Sequence, residues 1–170
     1  MEIALVILLS VLPVLVITAG LTDLTTMTIP NWISLALMAA FVPAALAVGL
    51  GAGQIALHFG VAVAALAMGV ALFALNLLGG GDAKLMAAAS LWLGLDAALV
   101  FLLATAVVGG LFSLSLILAR GSMSPIAVAG PPWLGRLLEP KGDIPYGVAI
   151  AAGVLVAFPH SPLIAAFTGG

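Results

Sequence analysis

The chain has 170 residues, of which 65% are apolar and only 6% charged, with a net charge of −2. A soluble domain carries roughly 25% charged residues, so water is excluded as the solvent for most of this surface. The few scattered charges exclude a nucleic-acid partner. Cysteine is absent, which removes disulfides, thiolate metal sites and a cysteine nucleophile together.

Runs of about 20 apolar residues span a bilayer core, and the sequence reads as a series of them. The first run is Ile3–Leu21, with Pro13 inside it. It is too long for a typical signal-peptide core and no Lys or Arg precedes it, so it reads as a retained span. The polar stretch "TDLTTMTIPN" (22–31) follows, then a second run, 32–50, with Pro43 inside it. Prolines inside spans are tolerated where neighbouring helices satisfy the freed carbonyls. After "GAGQ" comes a third run, about 55–78, in which Asn76 reads as a buried helix–helix hydrogen bond. Gly79–Asp82 interrupts it. The fourth run, 83–95, has thirteen residues and reaches only about 20 Å as a helix, short of the roughly 30 Å core. Asp96 reads as the N-cap of a fifth run, 97–119. The one long loop, 120–143, holds Pro125, Pro131, Pro132 and Pro140. In it "PPWLGRLLEP" reads either as an ordinary loop or as an interfacial helix. In the helical reading Trp133, Leu134, Leu137 and Leu138 lie in the headgroups, with Arg136 and Glu139 toward water. A sixth run, 144–167, opens at Asp143, read as its N-cap.

The fourth run either spans or forms a re-entrant hairpin. If it spans, Lys84, Arg120, Arg136 and Lys141, the four basic residues of the chain, share one face, as the positive-inside rule requires. The expected fold is therefore all-α: a single membrane-embedded domain over 1–170, about six transmembrane helices, the fourth short. The basic face is then cytoplasmic and both termini are outside. His58 and His160 fall on the outer face, with no carboxylate near either to make a metal site. Ala65/Gly69 and Ala106/Gly110 are spaced for close helix packing.

Asp23 follows the first span and Asp82 the third, so both lie on one face close to membrane depth. A carboxylate there is expensive and by default a functional candidate; capping a helix end is the alternative for each. Two carboxylates brought together do not both ionise easily and share a proton. One then serves as base on a water and the other as acid toward a carbonyl, with no metal or cofactor. Gly79, Gly80 and Gly81 remove side chains beside Asp82 and admit a close backbone, or simply make a turn. Pro30 keeps Ile29 extended, and Asn31 is a natural N-cap. Lys84 either holds Asp82 ionised, meets a substrate carboxylate, or snorkels as an interfacial anchor.

Asp23 with Ile29-Pro30-Asn31, followed about fifty residues on by Gly79-Gly80-Gly81-Asp82 and Lys84, resembles the type IV prepilin peptidase family. The tail "KGDIPYGVAIAAG" (141–153) is similar to that family's last span, and the small size resembles the branch serving tight-adherence (Flp-type) pili. The resemblance implies a multi-pass aspartic endopeptidase of the bacterial inner membrane. It would cut the basic leader from prepilins at the cytoplasmic face, typically after a glycine, with Asp23 and Asp82 as the catalytic pair. Family members often carry a basic residue before Ile-Pro-Asn; here it is Thr28. The larger relatives have an N-terminal extension, often with paired cysteines, and also methylate the new N-terminus, so peptidase activity alone is expected here. The implied partners are a prepilin substrate and the bilayer, with room for a homo-oligomer or pilus-assembly proteins. The alternatives from other classes are a proton-coupled transporter and a non-catalytic subunit of a secretion or pilus-assembly system.

Overall fold

A computed structural model describes residues 2–122 and 130–169. Residues 123–129 of the expected loop 120–143, Pro125 among them, lie outside the described residues. Helix α1 is Glu2–Thr26, α2 Asn31–Ala47, α3 Ala52–Ala74, α4 Gly80–Ser122, α5 Pro132–Leu137 and α6 Gly147–Ala157; a 3-10 turn, Phe158–His160, leads to α7, Pro162–Thr168. No strand occurs among the described residues. The all-α expectation therefore stands, and α1 and α2 run unbroken through Pro13 and Pro43.

Each of the first three helices ends in one left-handed residue, at Met27 (φ 56°), Gly49 (φ 83°) and Asn76 (φ 56°). After α3 the Leu77 N–H donates to the Leu72 carbonyl and the Asn76 N–H to that of Phe73, a Schellman stop that satisfies two orphan carbonyls. Asn76 is therefore exposed in a turn rather than buried in a span, and the third run stops four residues sooner than its apolarity suggests.

Helix α4 is two legs. Gly94 breaks it with φ 66° and ψ −171°, so 80–93 and 95–122 are separate segments. The break lies at Gly94 and not at Asp96, which is an exposed residue in the first turn of the second leg. A β-carbon at Gly94 would meet the His58 ring at 2.8 Å, so both the backbone angle and the space demand glycine. The break frees the Leu91 carbonyl, and buried His58 supplies the replacement: its Nδ1 lies 2.7 Å from that oxygen. A carbonyl only accepts, so Nδ1 carries the proton here.

Contacts give each leg its direction. Leg 80–93 runs antiparallel to α3, pairing Ala83 with Gly69 and Leu91 with His58. It runs parallel to α2, with Lys84 on Asn31 and the Trp92 indole on the Leu37 carbonyl. Leg 95–122 runs antiparallel to α6, pairing Phe101 with Gly153, Gly109 with Ala149 and Arg120 with Asp143. Helix α1 is also antiparallel to α6, through Gly20 on Ala151 and Asp23 on Gly147. The chain thus reverses at Gly94, and among the described residues six legs alternate in direction. By length and composition three helices can cross a membrane, Glu2–Thr26, Ala52–Ala74 and Gly80–Arg120. The pair Gly147–His160 and Pro162–Thr168, bent at 40°, makes a possible fourth. Length alone therefore does not yield the expected six.

Leg 80–93 is the centre of the protein. Leu85, Leu91, Trp92 and Leu93 are buried together with Leu12, Ile33, Leu37, Phe41, Phe101 and Ile150 from the surrounding helices. Phe41 meets the Trp92 ring edge-on at 6.0 Å between centroids, a favoured aromatic geometry. A helix enclosed by protein need not match the bilayer thickness, which accounts for its shortness. The outer legs do the reverse. On α3 only His58, Ala65 and Gly69 are buried, and Leu99, Leu103, Leu111 and Leu118 of α4 are exposed. Apolar faces of this extent are sustained by lipid. The Ala65/Gly69 spacing does pack, since Gly69 abuts Ala83. Ala106/Gly110 does not: Gly110 faces open space, and its neighbour Gly109 is the one packed on Ala149.

Candidate active site

The polar stretch after α1 and the glycines before α4 lie at the same end of the bundle. Asp23 sits on the last turns of α1 and is buried. Its Oδ2 accepts the Gly147 N–H at 2.8 Å, at the N-terminus of α6, where the helix dipole favours negative charge. The close packing of α1 on α6 makes this possible. A β-carbon on Gly147 would fall 2.8 Å from Asp23 Oδ2 and 3.0 Å from Ile29 Cδ1.

Asp82 occupies the first turn of α4 and is also buried. Gly79 is the N-cap residue, its carbonyl accepting the Ala83 N–H, and Asp82 Oδ2 reaches back to accept the Gly79 N–H at 3.1 Å. This is half of a capping box. One oxygen thus serves the helix, while the other, Oδ1, is buried with no hydrogen-bond partner among the described residues. Such an atom calls for an explanation.

The two aspartates share two cavities. One, of about 260 Å³, is walled by Asp23, Met27, Thr28, Ile29, Asn31, Gly79–Gly81 and Asp82. The other, of about 360 Å³, is walled by the same two carboxylates with Phe73, Leu77, Asp143, Ile144 and Tyr146 among others. Asp23 and Asp82 therefore stand between two halves of one cleft, and no Lys or Arg lines either half among the described residues.

The glycines differ in what they do. A β-carbon on Gly79 would fall 2.7 Å from Asp82 Oδ2, and one on Gly81 would press on Ile29 at 3.2 Å. At Gly80 the nearest neighbour, Phe73, is at an ordinary 3.6 Å. Ile29 is thus wedged between the Gly81 and Gly147 backbones, one beside each aspartate. Pro30 takes the N-cap position of α2, extended at φ −61° and ψ 135° and with no side-chain cap. Asn31 is not the cap; its Oδ1 accepts the Lys84 Nζ at 2.9 Å. Lys84 accordingly bonds Asn31, not Asp82. Asp143 is not a cap either, because Tyr146 precedes α6; its exposed side chain lies on the cleft wall.

The loop below is tied down by arginines on backbone carbonyls. Arg136 donates to Thr25, and Arg120 to Leu137 and Asp143. The segment around Trp133 is helical, as the interfacial reading has it, but Leu137 and Leu138 are buried against protein rather than in headgroups. Among the described residues no cluster of three His, Cys, Asp or Glu side chains could hold a metal.

The important contact missed by the sequence reading is Gly147. It lies in the similar tail "KGDIPYGVAIAAG", but only the position of α6 against α1 reveals why it must lack a side chain.

The fold and cleft define a polytopic helical membrane protein with a buried carboxylate pair at one end of its bundle. Residues 10–114, more than half of the chain, match the Type IV leader peptidase family. The chain belongs to that family, and a protease of the leader-peptidase kind is what the membership supports. The match takes in Asp23 and Gly79–Asp82 and ends before α6. No curated protein and no solved structure matches.

Proposed function

We propose that the chain is an aspartic endopeptidase of the bacterial inner membrane that removes the leader peptide of type IV prepilins, of the Flp kind, at the cytoplasmic face. One observation carries this reading: Asp23 and Asp82 face the same cleft, each with one carboxylate oxygen held by a backbone N–H. The pair holds one proton. The ionised carboxylate takes a proton from a water whose oxygen attacks the scissile carbonyl carbon. The other gives its proton to the carbonyl oxygen. Collapse of the tetrahedral species breaks the C–N bond, and the proton taken from the water goes to the leaving amine. Asp82 Oδ1, the oxygen not engaged by the Gly79 N–H, is the one left to bond the water. The substrate backbone lies extended in the smaller half of the cleft, along the wall made by Gly79–Gly81. Peptidase activity without methylation belongs to this reading and rests on the resemblance to the short branch of the family.

The test is chemical. Asp23→Asn and Asp82→Asn are near-isosteric and keep the acceptor oxygens, so fold and insertion are expected to survive. Each removes a proton-exchanging group worth roughly 10²–10⁴ in rate. Either change is therefore expected to abolish visible cleavage of a co-expressed prepilin, with the double change no worse because the two act as a unit. Asp96→Asn, exposed and beside Gly94 at the far end of leg 80–93, is expected to cleave normally. Near wild-type cleavage by Asp23→Asn would overturn the mechanism and favour a proton-coupled transporter or a non-catalytic subunit.

A further inference from the structure

A third cavity, of about 370 Å³, is a groove on the flank of the bundle between α2, α3 and leg 80–93. We propose that this groove receives the apolar membrane segment of the substrate, the part of the chain adjoining the bond to be cut; the inference rests on the peptidase reading and extends it. Its walls include Leu35 and Met38 from α2, Leu66 and Ala62 from α3, and Ala87 and Leu91 from leg 80–93. Each wall runs for about two turns, roughly 10 Å at 1.5 Å per residue. Apart from Ser34, polar groups stand only at the head of the groove, where Asn31 and Lys84 bond each other. The occupant is therefore apolar along its length and leaves the groove beside a polar junction.

The junction is what selects the occupant. Asn31 walls both this groove and the smaller half of the aspartate cleft, and Lys84 stands two residues beyond Asp82. The groove and the cleft thus meet at one corner. A lipid chain fits any apolar depression but has no reason to be joined to the cleft. A polypeptide that is extended beside Gly79–Gly81 and then becomes an apolar helix passes from one to the other without a break. Once its extended part is bound, its helix is held at high effective concentration over the groove. Ala62, Ala87 and Ala88 keep the groove shallow in side chains, and small residues let a helix backbone approach closely in lipid.

Ala87→Phe fills the groove without touching the aspartates. Cleavage is measured on a full membrane-inserted prepilin and on a short peptide that spans the scissile bond but stops before the apolar segment. The expected result is a KM at least tenfold higher for the full substrate, an unchanged kcat, and unchanged cleavage of the short peptide. Equal loss on both substrates, or no change on either, overturns the proposal. A photo-crosslinking side chain at Met38 in the Asp82→Asn background is expected to capture the prepilin's apolar segment, while one at Leu111, exposed on the second leg of α4, captures lipid only. Lipid alone at Met38 overturns the proposal. If the unaltered protein cleaves neither substrate, the peptidase reading fails, and the Met38 adduct then decides the groove by itself.

Discussion

At the scale of single residues, the cleft is controlled by what is missing from Gly147. Alanine is the better helix former by about 1 kcal/mol, so propensity alone would favour it in α6. The added carbon, however, would lie 2.8 Å from Asp23 Oδ2 and 2.9 Å from Asp23 Cβ, closer than packed atoms allow, and both neighbours belong to a buried side chain. Gly147→Ala is therefore expected to leave a folded, inserted protein whose Asp23 is displaced. A shift of about 1 Å in a reacting group costs on the order of 10²-fold, so cleavage should fall by about that factor although both aspartates are present. Normal cleavage would mean that the Asp23–Gly147 contact does not set the position of the acid. Asp143 illustrates the same point from the other side. Its place before an apolar run suggests a cap, yet its side chain lies on the cleft wall, so Asp96 is the cleaner control for the Asp23 and Asp82 substitutions.

At the scale of elements, Gly94 and His58 form one device that turns the chain. Glycine takes the backbone angle, and the imidazole takes over the Leu91 carbonyl that the turn leaves open. His58→Ala strands a buried carbonyl, at a cost of about 1–3 kcal/mol, and Gly94→Ala adds a left-handed alanine pressed against the His58 ring. Both are expected to lower the melting temperature in detergent micelles, Gly94→Ala more, while a shortened side chain at exposed Leu103 should not. If Gly94→Ala melted at the wild-type temperature, a strained reversal at this point would be ruled out. The apolar runs of these helices were legible because lipid demands them, and so was the shortness of 83–95, whereas its enclosure by the other helices was not. Their rotational phase was not. In an apolar helix no polar face marks the outside, so Ala106/Gly110 and Thr105/Gly109 are equivalent by spacing, and only Gly109, packed on Ala149, shows which face is inward. The caps were misread for a related reason. Asn31, Asp96 and Asp143 were the polar residues nearest the run boundaries, whereas Pro30, Gly94 and Tyr146 occupy the turning positions. The aspartate pair was legible because carboxylates are so rare here that two at matching run ends stand out. Gly147 was one glycine among 20, with nothing in the sequence to single it out.

At the scale of the whole molecule, the alternating legs tie the cleft to the charges. Lys84, Arg120 and Arg136 bond Asn31, Asp143 and Thr25, all at the aspartate end, and Lys141 lies two residues before Asp143. The turn after α2 lies at the other end with His58 and Gly94, because α2 runs alongside leg 80–93 and α3 returns against it. The proposed cytoplasmic placement of the aspartate end rests on the positive-inside rule, which weighs such short-loop Lys and Arg residues. The absence of cysteine makes this directly measurable, since any introduced thiol is the sole one. Lys141→Cys is expected to react with a membrane-impermeant maleimide only after the cytoplasmic side is opened. Gly53→Cys, placed where a β-carbon meets nothing within 4 Å, should react in intact cells. The two labels together test the reversal at Gly94 as well as the orientation. If leg 80–93 and the return from Gly94 did not cross as a pair, α3 and the second leg of α4 would end on opposite sides, and Lys141 would be labelled from outside while the cleft faced inward. Labelling of Lys141→Cys and Gly53→Cys on the same side would therefore break the link between basic loop and aspartate cleft, and with it the reason for placing leader cleavage at the cytoplasmic face.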